Sequence, residues 1–249
     1  MTHPPDRIFT ALELRSRGLS ATEVAHRMGI PRPTVRDWFA GYVPAVAGRP
    51  GGSCIRCGGP AHGVAELPRA YVYLLGLYLG DGCLSPHRRD VFKLRVFLDV
   101  AYPGIIDECR LGMLAVLPRG QAIGSAPKKG CVEVYSYWKG WPCLLPQHGP
   151  GKKHERPIVL VDWQEALVAQ HPGALLRGLI HSDGCRFMNT GRNWRNPRYS
   201  FSNHSDDIRR IFCAACDRLG LRYTTCPRTV YVSRKHDVAA LDEHIGPKR

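Results

Sequence analysis

One motif is written twice in this chain: LLGLYLGDG, Leu74 to Gly82, and LRGLIHSDG, Leu176 to Gly184. Each copy runs apolar, then small, then Asp-Gly. Read as a helix, the first puts Gly76 and Gly80 on one face, and the second does the same with Gly178 and Ser182. Small residues at that spacing let two backbones approach closely, which predicts a pair of helices packed against each other. Each helix is expected to stop at Gly82 or Gly184, the residue type that best tolerates a left-handed cap. That leaves Asp81 and Asp183 at the negative ends of two helix dipoles, where a carboxylate is disfavoured by about 0.3 to 1 kcal/mol at an exposed site. A bound divalent cation would reverse the penalty. A single Asp-Gly is an ordinary helix stop; the second copy, with matching small residues, argues for a functional pair.

The partner is indicated by charge. The 249 residues carry 35 Lys and Arg against 21 Asp and Glu, a formal net charge of +14. That balance points to a polyanion, with nucleic acid the leading candidate. No apolar run approaches the ~20 residues that span a bilayer, and the opening MTHPPDR has no signal-peptide core. A cytoplasmic, nucleoid-associated protein without a membrane partner is expected, and the frequent Arg, Ala, Gly and Pro hint at a GC-rich bacterial genome. The ten cysteines are scattered through apparent helices and strands and read mostly as reduced, small core residues.

Residues 1–43 form a first module. IFTALELRSRGLS reads as a helix closed by a Gly-Leu-Ser break, and ATEVAHRMGIPRPTVRDWFAG as a short helix, a turn at Gly29 and a second helix starting near Arg32. Val24, Met28, Ile30, Val35 and Trp38 supply its core, with small Ala25 at the crossing. The pattern resembles a helix-turn-helix of the resolvase type, in which the second helix enters the major groove. Arg32, Thr34 and Arg36 are then the base-reading candidates; the alternative is a three-helix interaction module with a solvated basic face.

Residues 44–68, rich in Pro and Gly, read as a linker. Within it Cys54-Ile-Arg-Cys57 has the spacing of a zinc knuckle, with His62 the nearest third ligand for Zn²⁺ where a structural site needs four. Cys213 and Cys216 share the spacing, yet fall in an apparent helix where core packing explains them.

After the first motif, Phe92, Leu94, Val96 and Leu98 alternate with Lys93, Arg95, Phe97 and Asp99, the period of a strand with one buried and one wet face. Lys93 and Arg95 on the wet face would point toward a ligand. A covering helix, Pro103 to Leu117, follows, then a strand in CVEVYSYWK and a short helix near Trp141 to Leu145. The second motif repeats the order. A hairpin-like region carries Arg186, Arg192, Arg195 and Arg198 with Trp194 and Tyr199 between them, a composition suited to phosphates and grooves. Tyr135 parallels Tyr231, and Lys139 parallels Lys235, at one constant offset.

In helix register, glycine positions and penultimate acid, the two motifs resemble the paired signature of the LAGLIDADG homing endonucleases; the family's variable sixth position reads Leu79 and His181. The resemblance implies an α+β fold, a pseudo-twofold saddle of two αββαββα-like repeats at residues 69–148 and 173–249, joined by 149–172. It implies motif helices side by side, antiparallel sheets straddling a DNA duplex, and a monomer in which each half cuts one strand. Asp81 and Asp183 would hold Mg²⁺, with the backbone carbonyls of Gly80 and Ser182 as further ligands, and Lys139 and Lys235 would stabilise developing charge or polarise water. The chain is also similar to WhiA-type bacterial regulators, which combine a helix-turn-helix with a LAGLIDADG-like domain, although there the helix-turn-helix follows the domain. Two functions are therefore expected in competition: a Mg²⁺-dependent DNA endonuclease, and a transcriptional regulator that binds without cutting.

Overall fold

Ten consecutive residues, Ala70 to Leu79, are buried on every side of α4 (Arg69–Asp81), and a helix apolar all round can only run through the middle of a core. Its partner is α8 (Pro172–Asp183), packed along it so closely that a Cβ on Gly76 would meet the Leu175 carbonyl at 2.6 Å. The structure, a computed structural model, describes residues 3, 5–40, 54–59, 64, 66–118, 120–246 and 248.

Each central helix opens the same series of elements. The first repeat continues through β1 (Gly82–Pro86), β2 (Phe92–Asp99), α5 (Pro103–Val116), β3 (Ile123–Lys128), β4 (Cys131–Trp138) and α6 (Trp141–Leu144). The second continues through β5 (Gly184–Gly191), β6 (Trp194–Ser202), α9 (Asp206–Arg218), β7 (Thr224–Thr225), β8 (Thr229–Val232) and α10 (Lys235–Ile245). The sheets are antiparallel, in the matching orders β1-β2-β4-β3 and β5-β6-β8-β7. This is the expected α+β arrangement. The alternation read in β2 holds: Leu94, Val96 and Leu98 are buried, while Lys93, Arg95 and Phe97 lie on the other face. Between the repeats, α7 (Asp162–Gln170) contributes Gln164, which donates to the buried Tyr71 hydroxyl at 2.6 Å while that hydroxyl donates to the Leu144 carbonyl.

The motif glycines behave differently from expectation at one point. Gly82 (φ −90°, ψ 152°) and Gly184 (φ −118°, ψ 168°) are extended, not left-handed, because each helix passes straight into a strand. Glycine is required there by crowding. A Cβ at Gly82 would lie 2.5 Å from the Tyr78 Cα, and one at Gly184 would lie 2.8 Å from the Ile180 Cα.

The N-terminal helices are α1 (Pro5–Ser16), α2 (Ala21–Met28) and α3 (Arg32–Phe39). A capping box between Ser20 and Glu23 starts α2, Gly29 at φ 60° ends it, and proline in its first turn starts α3. Their small core includes Ile8, Leu12, Val24, Ile30, Val35 and Trp38, and is closed by Leu111 of α5. The module is therefore docked on the first repeat. Arg69 reinforces the joint, pairing with Glu13 at 3.0 Å.

Of the ten cysteines only Cys54, Cys109 and Cys216 are buried, fewer than the core reading expects. Among the described residues, no helix is long and apolar enough to cross a membrane.

Candidate functional site

The two motif helices converge at their C-terminal ends. A Cβ on Gly80 would lie 2.1 Å from the Ser182 hydroxyl and 3.0 Å from Asp183 Oδ2, so the absence of that carbon is what lets the two helix ends close on each other. Asp81 and Asp183 are both half-buried. Burial, and then the neighbouring charge of Asp183, pushes the Asp81 carboxyl up to about 6. Asp183 is raised as well, by burial, against the pull of Asn203, whose amide donates to Oδ2 at 2.6 Å. Burial thus disfavours the charged form of both carboxyl groups, and at Asp81 the charge of Asp183 adds to it.

The cations acting on both acids are Lys153 and Lys248. Lys153 donates to the carbonyls of Leu79 (2.8 Å) and Gly80 (2.7 Å), and also to that of Tyr78, covering the negative end of α4. Burial brings its ammonium down to about 8 even though both aspartates oppose the shift. Lys248 donates to the Gly184 carbonyl at 2.6 Å, where the second motif ends. A cleft of about 970 Å³ opens beside this centre, with Lys153, His154, Asp183, Asn203 and His204 on its walls.

Lys139 and Lys235, the lysines expected from the repeat alignment, are exposed in the turn after β4 and at the start of α10. Neither is among the groups that act on the aspartates. Lys153, Lys248 and Asn203 were not legible as site residues. Lys153 lies in the connection between repeats and Lys248 beyond α10, and the one signal is that each follows the closing helix of its repeat. Of the two backbone carbonyls expected to assist a metal, that of Gly80 already accepts from Lys153.

The sheets place cations on their open faces in matched positions. Val96 stands opposite Gly82 and Val134, as Phe201 stands opposite Gly184 and Val230. Counted from those anchors, Lys93 is equivalent to Arg198 and Tyr135 to Tyr231. Each cation lies over the equivalent ring, Lys93 at 4.2 Å from the Tyr135 centroid and Arg198 at 4.0 Å from that of Tyr231. Lys93 also pairs with Glu133 at 2.6 Å, and Arg95 donates to the Ser85 hydroxyl at 2.7 Å. Arg192 is exposed at the hairpin turn, and Trp194 is exposed beside it. Arg186 and Arg195 have the opposite parity, since Arg186 stands across from buried Tyr199. Arg186 is tied to Asp242 of α10 at 2.7 Å, which turns it away from the open face.

On α3, Val35 and Trp38 are buried while Arg32 and Arg36 are exposed and Thr34 is half-exposed, so Arg32 and Arg36 share the outer side of the helix and Thr34 lies on its opposite flank. His62 lies outside the described residues. Cys54 and Cys57 lie together near the first repeat.

The LAGLIDADG resemblance seen in the motifs has counterparts among solved structures. No protein family and no curated protein matches the chain by sequence. The N-terminal LAGLIDADG domain of DUF199/WhiA is similar over 73% of this chain and 84% of its own, with 12% identity and a TM-score of 0.44. I-DmoI, crystallised with DNA and Mn, is similar over 71% of this chain and 96% of its own, with 13% identity and a TM-score of 0.45. The homing endonuclease I-WcaI, bound to its DNA recognition sequence, is similar over 74% and 84%, with 12% identity and a TM-score of 0.47.

Proposed function

We propose that this protein is a sequence-specific double-stranded DNA-binding protein and a Mg²⁺-dependent endonuclease, acting as a monomer with internal pseudo-twofold symmetry at the nucleoid. The observation that carries the reading is the acidic centre: Asp81 and Asp183 stand at the adjoining ends of two touching helices, with a half-buried lysine from beyond each repeat beside them.

The donor set fits a hard divalent cation. Two carboxylates offer oxygen ligands, and each is held up in pKa by burial, so a positive ion between them relieves a penalty the fold otherwise bears. When bound, such an ion supplies Lewis-acid polarisation of the scissile phosphates and offsets charge on the attacking and leaving oxygens. The chain's own residues do the rest. Asn203 fixes the orientation of Asp183 through its hydrogen bond. Burial lowers the Lys153 ammonium to about 8, toward the range that suits a general acid or base at Nζ. Lys93 and Arg198 meet the two strands from equivalent positions on the open faces, with Arg95 and Arg192 adding phosphate contacts. Arg32, Thr34 and Arg36 read base edges from the docked helix-turn-helix.

A second reading, a regulator that binds without cutting, is favoured by that same module, which shares its core with α5 as a built part of the protein. Incubating the protein and its Asp81→Asn and Asp183→Asn variants with its own genomic DNA and Mg²⁺ separates the two. Strand cleavage by the parent alone, with DNA binding by all three, is expected. Binding by all three with no cleavage by any of them would leave the regulator.

A further inference from the structure

The motif that DNA binding leaves unused is Cys54-Ile-Arg-Cys57. Its chain turns sharply: the Gly58 amide donates to the Cys54 carbonyl at 2.8 Å, the Cys54 amide donates to the Gly59 carbonyl at 2.7 Å, and Gly58 takes φ +69°, the region that favours glycine. The backbone amides of Arg56 and Cys57 hydrogen-bond to the Cys54 sulfur and fix its position in the turn.

A third thiol completes the cluster from elsewhere in the fold. Cys143 of α6 brings its sulfur to 3.6 Å from that of Cys54, and the sulfurs of Cys54, Cys57 and Cys143 all lie within 4.8 Å of one another. A tetrahedral zinc site with Zn–S bonds of about 2.3 Å has sulfur–sulfur edges of about 3.8 Å, so these side chains already outline one face of such a site. A disulfide needs about 2.05 Å, far less than the 3.6 Å between the Cys54 and Cys143 sulfurs. Soft thiolate donors select zinc over the hard cation suited to the aspartates.

We propose that Cys54, Cys57 and Cys143 bind a zinc ion as thiolates, releasing their protons to solvent, with a water in the fourth position on the exposed Cys57 side. The ion cross-links the turn at 54–59, which precedes the first motif helix, to the helix that closes the first repeat. Next to Cys143, the Leu144 carbonyl receives the hydroxyl of Tyr71 from α4, so the cross-link bears directly on the motif helix.

The test is metal content and spectroscopy of the full chain, without DNA. Purified under reductant and titrated with zinc, it should hold about one equivalent, and cobalt in its place should give the thiolate charge-transfer band and strong visible transitions of a tetrahedral site. Cys143→Ser, checked for folding by circular dichroism, should lower zinc affinity roughly tenfold or more, while Cys226→Ser, at an exposed cysteine elsewhere, should leave it unchanged. A parent protein that takes up no zinc, that gives no cobalt–thiolate band, or whose intact mass is lighter by two hydrogens overturns the proposal. So does a folded Cys143→Ser variant with undiminished affinity. None of these readouts depends on DNA binding or cleavage.

Discussion

Gly178 of the second motif helix touches Gly76 of the first: a Cβ added to either would lie 2.9 Å from the other's Cα, and one on Gly178 would reach the Tyr73 carbonyl at 2.3 Å. Backbone meets backbone on both sides, so no flexible side chain can yield. Gly178→Ala should therefore destabilise the protein by about 3 kcal/mol, the upper end of the usual overpacking cost, and should lower Asp81–Asp183 cooperation by forcing the helix ends apart. Chemical denaturation checks the first effect. A variant as stable as the parent would mean that the helices slide without loss.

That contact was legible in the sequence because small residues at helical spacing have few other uses, and the motif was present twice. The strands of the first repeat were legible too, since Leu94, Val96 and Leu98 alternate with charged or wet positions. Other features were hidden for physical reasons. Lys153 and Lys248 reach the acids from beyond the repeat boundaries, where no periodicity marks them. Arg186 and Arg198 look alike in a charged hairpin, and only strand parity, fixed by pairing with β8, sends them to opposite faces. Cys143 joins Cys54 across 89 positions, a tertiary coincidence that local spacing cannot encode. Gly82 and Gly184 looked like left-handed caps, yet the demand on them is steric.

Asp81 titrates near 6 in the fold against an ordinary carboxyl value of 3.8. Because the folded value is raised, the stability linked to this group is fully present below the unfolded value and is lost as pH rises through about 6. In chelator, the parent should thus lose about 1–3 kcal/mol between about pH 4 and about pH 7, a loss that Asp81→Asn largely removes. Added Mg²⁺ should restore the parent and leave the variant unmoved. Thermal melts across that range decide it; identical pH dependence in both proteins would remove Asp81 as the cause.

Lys153 is held near 8 by burial, so its charge and that of Asp81 change on either side of neutrality. Cleavage should rise through about pH 6 as Asp81 ionises and bend again near pH 8. Lys153→Met should reduce single-turnover cleavage by about 10² or more, as for loss of a general acid or base, with DNA affinity nearly unchanged. Lys139→Met, at an exposed turn, should change neither. Equal losses at the two lysines would refute the assignment.

Arg36 stands exposed on α3, beside buried Val35 and in the turn preceding buried Trp38. If it reads a base, Arg36→Ala should weaken binding to the preferred DNA site by about 1–3 kcal/mol and relax preference at one position. Selection from a random duplex pool shows this directly. An unchanged preferred sequence would leave Arg36 as a phosphate contact or as a solvated charge.

Arg177 joins four helices from a fully buried position on α8. It meets Glu108 of α5 through three hydrogen bonds at 2.6, 2.9 and 3.0 Å, donates to Ser16 of α1 at 2.7 Å, and donates to the carbonyl of Ile245 at the end of α10. A guanidinium with no water to turn to depends on its carboxylate, so Glu108→Gln should cost about 3–5 kcal/mol, the usual penalty for stranding one buried charge. Replacing both partners, as Glu108→Leu with Arg177→Met, should cost much less because no charge is then left uncompensated. Since Arg177 also reaches Ser16, the single variant should speed amide exchange in α1 before it affects α9, loosening the N-terminal helices from the repeats. If exchange rises uniformly instead, the joint between α1 and the saddle rests on Leu111 and its apolar neighbours, and the arginine serves only the central core.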